Sequence, residues 1–412
     1  MTTLRTSERE PATVGPNHRW VILAIGVAAQ ASFSAAISGL PVAGPQLRAQ
    51  YALSNVRLGL VIGVIYLGIA ASEILWGVWT DRFGERRILL TGLLCTGAVL
   101  ALMGVVLVPA TGSVPPFAAL VLAMLLVGVF GGSINGSSGR AVMTWFQAGN
   151  RGLAMSIRQT AMPAGGAIGI AILPGLASRY GFRPVYLLLA ALCLITAGAT
   201  WRWLHEPQVT ATGSAAAAPI ESRSPLRRWD IWRLALSSSL LTVPQFAVVT
   251  FSAIFLHDIE HASVQTTVIA LCIVQFGGGT ARIWSGRFTD RRGNRRPMIR
   301  IIGVLAAAAL LASALLTQVS SPIAIGTLVV GGVFANAWHG VAYTEIASMA
   351  GTGRSGTALG LENTLVFAMG FLIPLCIPFL LGWSSWSVVW LAAGVASALA
   401  VPLVPRRERV AG

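Results

Sequence analysis

Four charged side chains lie inside otherwise apolar stretches of this sequence: Glu73, Arg158, Arg282 and Glu362. Glu73 and Arg282 stand 209 positions apart, and Arg158 and Glu362 stand 204 apart. Both offsets are those of an internal repeat, so each half of the chain carries one acid and one base at equivalent places, with the signs exchanged. A charge kept in hydrocarbon is costly and marks a substrate path, a proton relay or a buried pair. The planar fork of arginine matches a carboxylate, which makes Arg158 and Arg282 candidates for holding an anion. Glu73 and Glu362 are candidates for carrying a transported proton. His339, one turn beyond Asn336, is a third, because a free imidazole titrates near neutral pH; a hydrogen-bonded packing histidine is the alternative. Asn135, Asn336, Gln30 and Gln245 are candidate polar contacts to a substrate.

Composition sets the elements that must position these residues. Hydrophobic residues make up 55% of the 412 and charged residues 10%, against roughly 25% charge in a soluble domain, and mean hydropathy is +0.73. About 20 apolar residues span a bilayer as a helix. The apolar runs predict six spans at about 20–40, 57–80, 87–108, 117–140, 152–176 and 184–203. Six more follow at about 231–256, 264–288, 298–318, 322–349, 356–380 and 384–404. The chain thus divides into a polar tail (1–19), a six-helix bundle (20–203), a linker (204–230), a second six-helix bundle (231–404) and a short tail (405–412). The linker carries Pro207, Gly213, Pro219 and Pro225 beside Arg223, Arg227 and Arg228, a flexible composition.

The formal net charge of +15 comes from arginine alone, since the sequence contains no lysine. The arginines cluster in loops on alternate sides of the spans. That is the positive-inside pattern rather than a nucleic-acid patch. It predicts cytoplasmic termini, an uncleaved first span and a multi-pass protein of the bacterial inner membrane. Cys95, Cys193, Cys272 and Cys376 fall in apolar spans without disulfide or metal spacing and are expected as small packing residues. The clusters Gly131-Gly132, Gly165-Gly166, Gly277-Gly278-Gly279 and Gly331-Gly332 also lie within spans, where small residues allow close helix packing. No metal or cofactor site and no nucleophile–base constellation is visible, so no enzyme is expected.

The repeat is most legible in two hairpins. Gly77-Val78-Trp79-Thr80-Asp81-Arg82-Phe83-Gly84-Glu85-Arg86-Arg87 returns as Gly286-Arg287-Phe288-Thr289-Asp290-Arg291-Arg292-Gly293-Asn294-Arg295-Arg296. Gly152 to Thr160, opening the fifth span, matches Gly356 to Thr364, opening the eleventh, and Asn135 matches Asn336 more weakly. Parallel repeats of this kind are a transporter architecture with the substrate near the midplane.

The G-x-x-x-D-R-x-G-x-R-R hairpin, its copy and the long central linker resemble the major facilitator superfamily over nearly the whole chain. The resemblance implies that the hairpin Asp and Arg hold the two halves together on the cytoplasmic side when the carrier opens outward. That role falls on Asp81 and Arg82, with Asp290 and Arg291 as the second copy. Arg86, Arg140 and Glu345 are expected to join the same gate. The alternative is that the arginines only fix topology. Arg282-Ile283-Trp284-Ser285-Gly286 resembles the oxalate–formate and monocarboxylate branch, in which an arginine of helix 8 contacts the carboxylate. The first span lacks the acidic-Gly-aromatic signature of monocarboxylate carriers. Met162-Pro163-Ala164-Gly165-Gly166 is faintly similar to the antiporter motif of drug exporters, without its first glycine and with shorter spacing.

Two arrangements of the four charges follow. Within each half, Glu73 pairs with Arg158 and Glu362 with Arg282. Across the halves, the resemblance implies that helix 5 meets helix 8 and helix 2 meets helix 11. Arg158 and Arg282 then form an anion site, and Glu73 lies near Glu362, where two carboxylates do not ionise together easily. A third possibility is that all four, about two turns from the helix ends at about 1.5 Å per residue, snorkel or belong only to the gate. The expectation is an all-α, twelve-helix secondary transporter acting as a monomer by alternating access. Its partners are the bilayer, a small organic anion, and protons or a counter-substrate. Proton-coupled export of a drug or metabolite is the alternative within transport, and a non-transporting receptor or regulator the alternative outside it.

Overall fold

The structure, a computed structural model, describes residues 17–110, 113–205, 223–317, 319 and 321–406. The first bundle contains α1 (His18–Val42), α2 (Gly44–Gln50), α3 (Asn55–Phe83), α4 (Glu85–Val106), α5 (Phe117–Trp145), α6 (Arg151–Tyr180) and α7 (Phe182–Trp203). The second contains α8 (Trp229–Asp258), α9 (Val264–Arg292), α10 (Arg295–Leu316), α11 (Ser321–Ala337), α12 (His339–Ala350), α13 (Ser355–Leu381) and α14 (Trp386–Leu403). Among the described residues, 12 helical segments are long and apolar enough to cross a membrane, with α11 and α12 together forming one of them.

Three features differ from expectation. The hairpins are helix almost throughout: α3 runs to Phe83 and α9 to Arg292. The turn is one glycine in each, Gly84 at φ 89° and Gly293 at φ 63°, where a Cβ would be strained. The tenth span breaks at Trp338. The short α2, entered through Pro45, follows the first span and buries Leu47. Of the linker, residues 206–222 lie outside the described residues, as do 1–16 and 407–412 of the tails; Pro225–Arg227 forms a short 3-10 turn.

Lipid offers no hydrophobic drive between helices, so close backbone approach at small residues must hold them together. Glycines supply it within the bundles. An ideal Cβ on Gly169 would stand 2.3 Å from the Ala35 carbonyl oxygen, joining α6 to α1, and one on Gly128 would stand 2.1 Å from that of Ile65, joining α5 to α3. The same device joins the bundles to each other. A Cβ on Gly77 would fall 2.3 Å from the Gly356 carbonyl oxygen, and one on Gly286 would fall 2.5 Å from that of Gly152. These are the repeat-related crossings of α3 with α13 and of α9 with α6. An apolar core straddles both bundles at this face, with Val142, Phe146 and Met155 packed among Ile231, Trp338 and Ile346. Each bundle also has a core of its own. The halves are therefore closed together at the end carrying the hairpins.

The cysteines only partly meet expectation. Cys193 is buried in the first core, but Cys272 and Cys376 are exposed on the outer helix faces. A small apolar thiol suits lipid contact as well as packing.

Overpacking a tight contact costs about 1–3 kcal/mol. Gly77→Ala is therefore expected to shift the carrier away from this closed form by about five- to a hundred-fold. The check is alkylation of a single cysteine introduced at the buried Ser156, which should accelerate in the Gly77→Ala background.

Candidate functional site

The two bundles share a buried polar network. Arg158, two turns into α6, is completely buried. Its Nε donates to Ser138 Oγ at 2.9 Å, one Nη to Gln159 Oε1 at 3.2 Å, and the other to Gln30 Oε1 at 3.0 Å and to the Asn135 carbonyl. Gln30 Nε2 in turn donates to Asn135 Oδ1 at 2.8 Å, and Asn135 Nδ2 donates to Glu73 Oε1. Glu73 is also fully buried, and its second oxygen accepts from Asn363 Nδ2 of the other bundle at 3.4 Å. Arg158 and Glu73 thus communicate through Asn135 rather than as a direct ion pair.

Arg282 is placed by the break in the tenth span. Its Nε and one Nη donate to the Asn336 carbonyl at 3.0 and 2.8 Å, an acceptor just before the interruption at Trp338. A broken helix leaves carbonyls without intrahelical donors, and a guanidinium fork is suited to satisfy them. The remaining Nη of Arg282 reaches across the seam to the Gln159 carbonyl at 2.8 Å. Gln159 therefore receives Arg158 on its side chain and Arg282 on its backbone, one cation from each bundle. No carboxylate lies within 4.0 Å of either arginine among the described residues.

Glu362 departs from the expected pairings. It does not bond Arg282; its Oε1 accepts from Ser238 Oγ of α8 at 2.6 Å, and its Oε2 has no hydrogen-bond partner among the described residues. Neither within-half salt bridge forms. What does form is the across-half adjacency: α6 meets α9 through Gln159 and Arg282, and α3 meets α13 through Glu73 and Asn363. None of the four charges snorkels or bonds a hairpin residue, because neighbouring helices bury them all.

His339 opens α12, stacked on Trp338 with centroids 3.8 Å apart; its Nδ1 is unpartnered among the described residues. Its charged neighbour is Arg282, and no bond connects it to either glutamate. Gln245 Nε2 donates to Asn336 Oδ1 at 3.2 Å, repeating in the second bundle the Gln30–Asn135 contact of the first. Tyr343, Gln159 and Asn363 were not singled out by the sequence. Tyr343 is buried one turn beyond His339 and donates to Asn363 Oδ1, next to Gln159. Polar residues inside apolar spans were the available signal: Gln159 and Asn363 directly follow Arg158 and Glu362, and Tyr343 lies one turn from His339. Gly165 and Gly166, from the antiporter-like stretch, pack on α1 inside the first bundle.

Toward the hairpin face, each hairpin aspartate caps a helix of the opposite bundle. Asp81 accepts from the Gly356 amide at 2.9 Å, the Thr357 amide at 2.7 Å and Thr357 Oγ1 at 2.6 Å. Asp290 accepts from the Gly152 and Leu153 amides, both at 2.9 Å. A carboxylate at a helix N-terminus meets unsatisfied amides and the positive end of the dipole. Arg140 lies 3.6 Å from Asp81 and 3.3 Å from Glu85. In the second bundle Arg295 lies 3.1 Å from Asp290, and Arg296 lies 2.6 Å from Glu345.

The structure does not bring Arg82, Arg86 or Arg291 to this seam. Arg82 is exposed with its guanidinium 5.3 Å from the Phe83 ring, Arg86 donates to the Trp201 carbonyl inside its own bundle, and Arg291 is exposed. Arg82 and Arg291 stand off the face of α3 and α9 that carries the aspartates, and Arg86 on α4 turns to α7, whereas Glu85 pairs with Arg140 and Arg295 with Asp290. Periodicity read as a loop could not make that distinction.

The sequence description of the Major Facilitator Superfamily matches residues 26–374. The chain belongs to the major facilitator superfamily. This facilitator is 31% identical over 400 residues to an uncharacterized MFS-type transporter of Mycobacterium tuberculosis, covering 97% of this chain and 87% of that one. It is 26% identical over 178 residues to a hexuronate transporter of Bacillus subtilis, covering 42% of this chain and 39% of that protein. The solved structure of the proton:xylose symporter XylE with a bound bromodeoxyglucose shares its fold, with a TM-score of 0.76 at 16% identity over 95% of this chain and 97% of XylE. The facilitator is thus a transporter rather than an enzyme. It is a multi-pass protein of the cell membrane, and its bacterial relatives point to the inner membrane.

Hydrogen bonds to a charged group contribute about 1.5–3 kcal/mol. Asp81→Asn is expected to open the hairpin face at least tenfold, read by alkylation of the cysteine at Ser156. Arg82→Gln should stay within twofold of the parent.

Proposed function

We propose that this facilitator moves a small organic anion, a carboxylate, by alternating access, with protons or by exchange. The observation that carries the reading is the meeting of Arg158 and Arg282 at Gln159, one cation from each bundle with no carboxylate in ion-pair reach. Both guanidiniums are held here mainly by neutral acceptors, the carbonyls of Asn135, Asn336 and Gln159 and the side chains of Ser138, Gln30 and Gln159. A carboxylate makes stronger hydrogen bonds to arginine than a neutral oxygen does. An anion arriving between the bundles can therefore displace some of these acceptors and bias how the bundles sit against each other. Gln30, Asn135, Gln245 and Asn336 flank the arginines as polar contacts. That the similar Bacillus subtilis protein is a hexuronate transporter agrees with an anionic cargo.

Glu362 is the proposed proton carrier. It is fully buried, lacks an ion-pair partner among the described residues and keeps one oxygen unbonded. A proton on that oxygen removes an uncompensated buried charge. Glu73, bonded by two amides, is the more restrained acid. The positive-inside bias supports a cytoplasmic hairpin face, which would make the closed form described here accessible from outside. In that setting Asp81, Asp290, Arg140 and Glu345 serve as the cytoplasmic gate, joined by Glu85 and Arg295.

Proteoliposomes supply the test. Uptake of labelled mono- and dicarboxylates should rise with an imposed proton gradient, and Arg282→Gln and Arg158→Gln should each lower it by at least tenfold. Full uptake of the true substrate by both variants would sink the anion site. Glu362→Gln should abolish acceleration by the gradient while retaining counterflow exchange; a gradient response equal to the parent's would remove Glu362 as the carrier.

A further inference from the structure

A second site lies outside the seam. Arg233 of α8, Arg300 of α10 and Arg406 beyond the end of α14 converge with Val401 and Pro402 around a recess of about 470 Å³ at the hairpin face. Some of their donors fix the end of α14 and the chain that follows it: Arg233 Nη2 donates to the Pro402 carbonyl at 2.9 Å, and Arg300 Nη2 to those of Val404 and Pro405 at 2.7 and 3.1 Å. The charged neighbours of Arg300 are Arg233, Arg296 and Arg406, all of them cations. No carboxylate lines the recess among the described residues. The nearby acids are engaged elsewhere, Glu345 with Arg296 and Asp230 with Arg228, each at 2.6 Å.

Topology alone asks for arginines on this face but not for their convergence, which like-charge repulsion opposes. Directly below the recess the surface turns apolar. Val304 lies one turn into α10 from Arg300, and Leu399 one turn back along α14 from Pro402; they are 51% and 55% exposed. Cationic forks above an apolar strip at a membrane boundary match one kind of ligand. We propose that the recess binds the phosphodiester headgroup of an anionic glycerophospholipid, with its acyl chains along α10 and α14. Arginine forks suit phosphate oxygens, and basic recesses between spans are places where anionic headgroups dock. A soluble phosphate ester shares the headgroup chemistry but leaves the apolar strip uncovered.

The full chain, purified in mild detergent, would be titrated with phosphatidylglycerol, phosphatidylcholine or glycerol 3-phosphate. Retained lipid is read by native mass spectrometry and stability by unfolding temperature. Phosphatidylglycerol should be retained and should raise the Tm, and the other two should do neither. The Arg406 side chain makes no hydrogen bond among the described residues, so Arg406→Gln leaves the fold intact; it should weaken retention about fivefold, the effect of about one arginine near an anionic surface. Arg233→Gln combined with it should weaken retention further, and Arg87→Gln, on the other bundle, should not. Equal retention of phosphatidylcholine, or unchanged retention in Arg406→Gln, would overturn the proposal. A Tm rise with glycerol 3-phosphate matching that with phosphatidylglycerol would assign the recess to a soluble phosphate ester instead.

Discussion

Two aspartates hold the closed form together by capping helices that belong to the opposite bundle. Asp81 sits on the amides that begin α13, and Asp290 on those that begin α6. Each bond needs a carboxylate within 3 Å of backbone, which only glycine crossings allow: Gly77 against Gly356 and Gly286 against Gly152. The contact is specific in geometry. Such a joint can open without unfolding either bundle, because each bundle keeps its own core. Charge and helix polarity add to the apolar packing at this face, which by itself has little drive against lipid.

Beyond the joint, the polar network is asymmetric where the repeat is symmetric. Both bundles keep a glutamine–asparagine contact and an arginine on an asparagine carbonyl. Asn135 receives Arg158 and Asn336 receives Arg282. The acids differ. Glu73 is tied to amides from both bundles, whereas Glu362 has one hydroxyl partner and one open oxygen. Exchanging the signs between halves thus yields one restrained acid and one less restrained.

Much of this was readable in the chain. Twelve apolar runs gave the spans to within a few residues, since burying backbone in hydrocarbon leaves helix as the option. The exchanged pairs Glu73/Arg282 and Arg158/Glu362 followed from the repeat, as did the aspartates of the two hairpins. The positions of Arg82, Arg86 and Arg291 did not follow, because a motif read as a loop has no faces, whereas the helices on either side of Gly84 and Gly293 direct their residues to different sides. Gln159, Tyr343 and Glu85 take their places from partners on other helices, Arg282, Asn363 and Arg140, while Arg295 reaches Asp290 only because the turn at Gly293 folds α10 back against α9.

The sequence by itself determined the membrane class, the number of spans, the duplication and the identity of the buried charges. Those properties depend on local hydrophobicity and on self-similarity, which one dimension records. Only the tertiary structure decided which charges touch. It separated Arg282 from Glu362, linked Arg158 to Glu73 through Asn135, and brought both arginines to Gln159. Pairing in a buried network is set by angstrom-scale helix placement around the broken tenth span, and no residue spacing along the chain encodes the distance between two bundles.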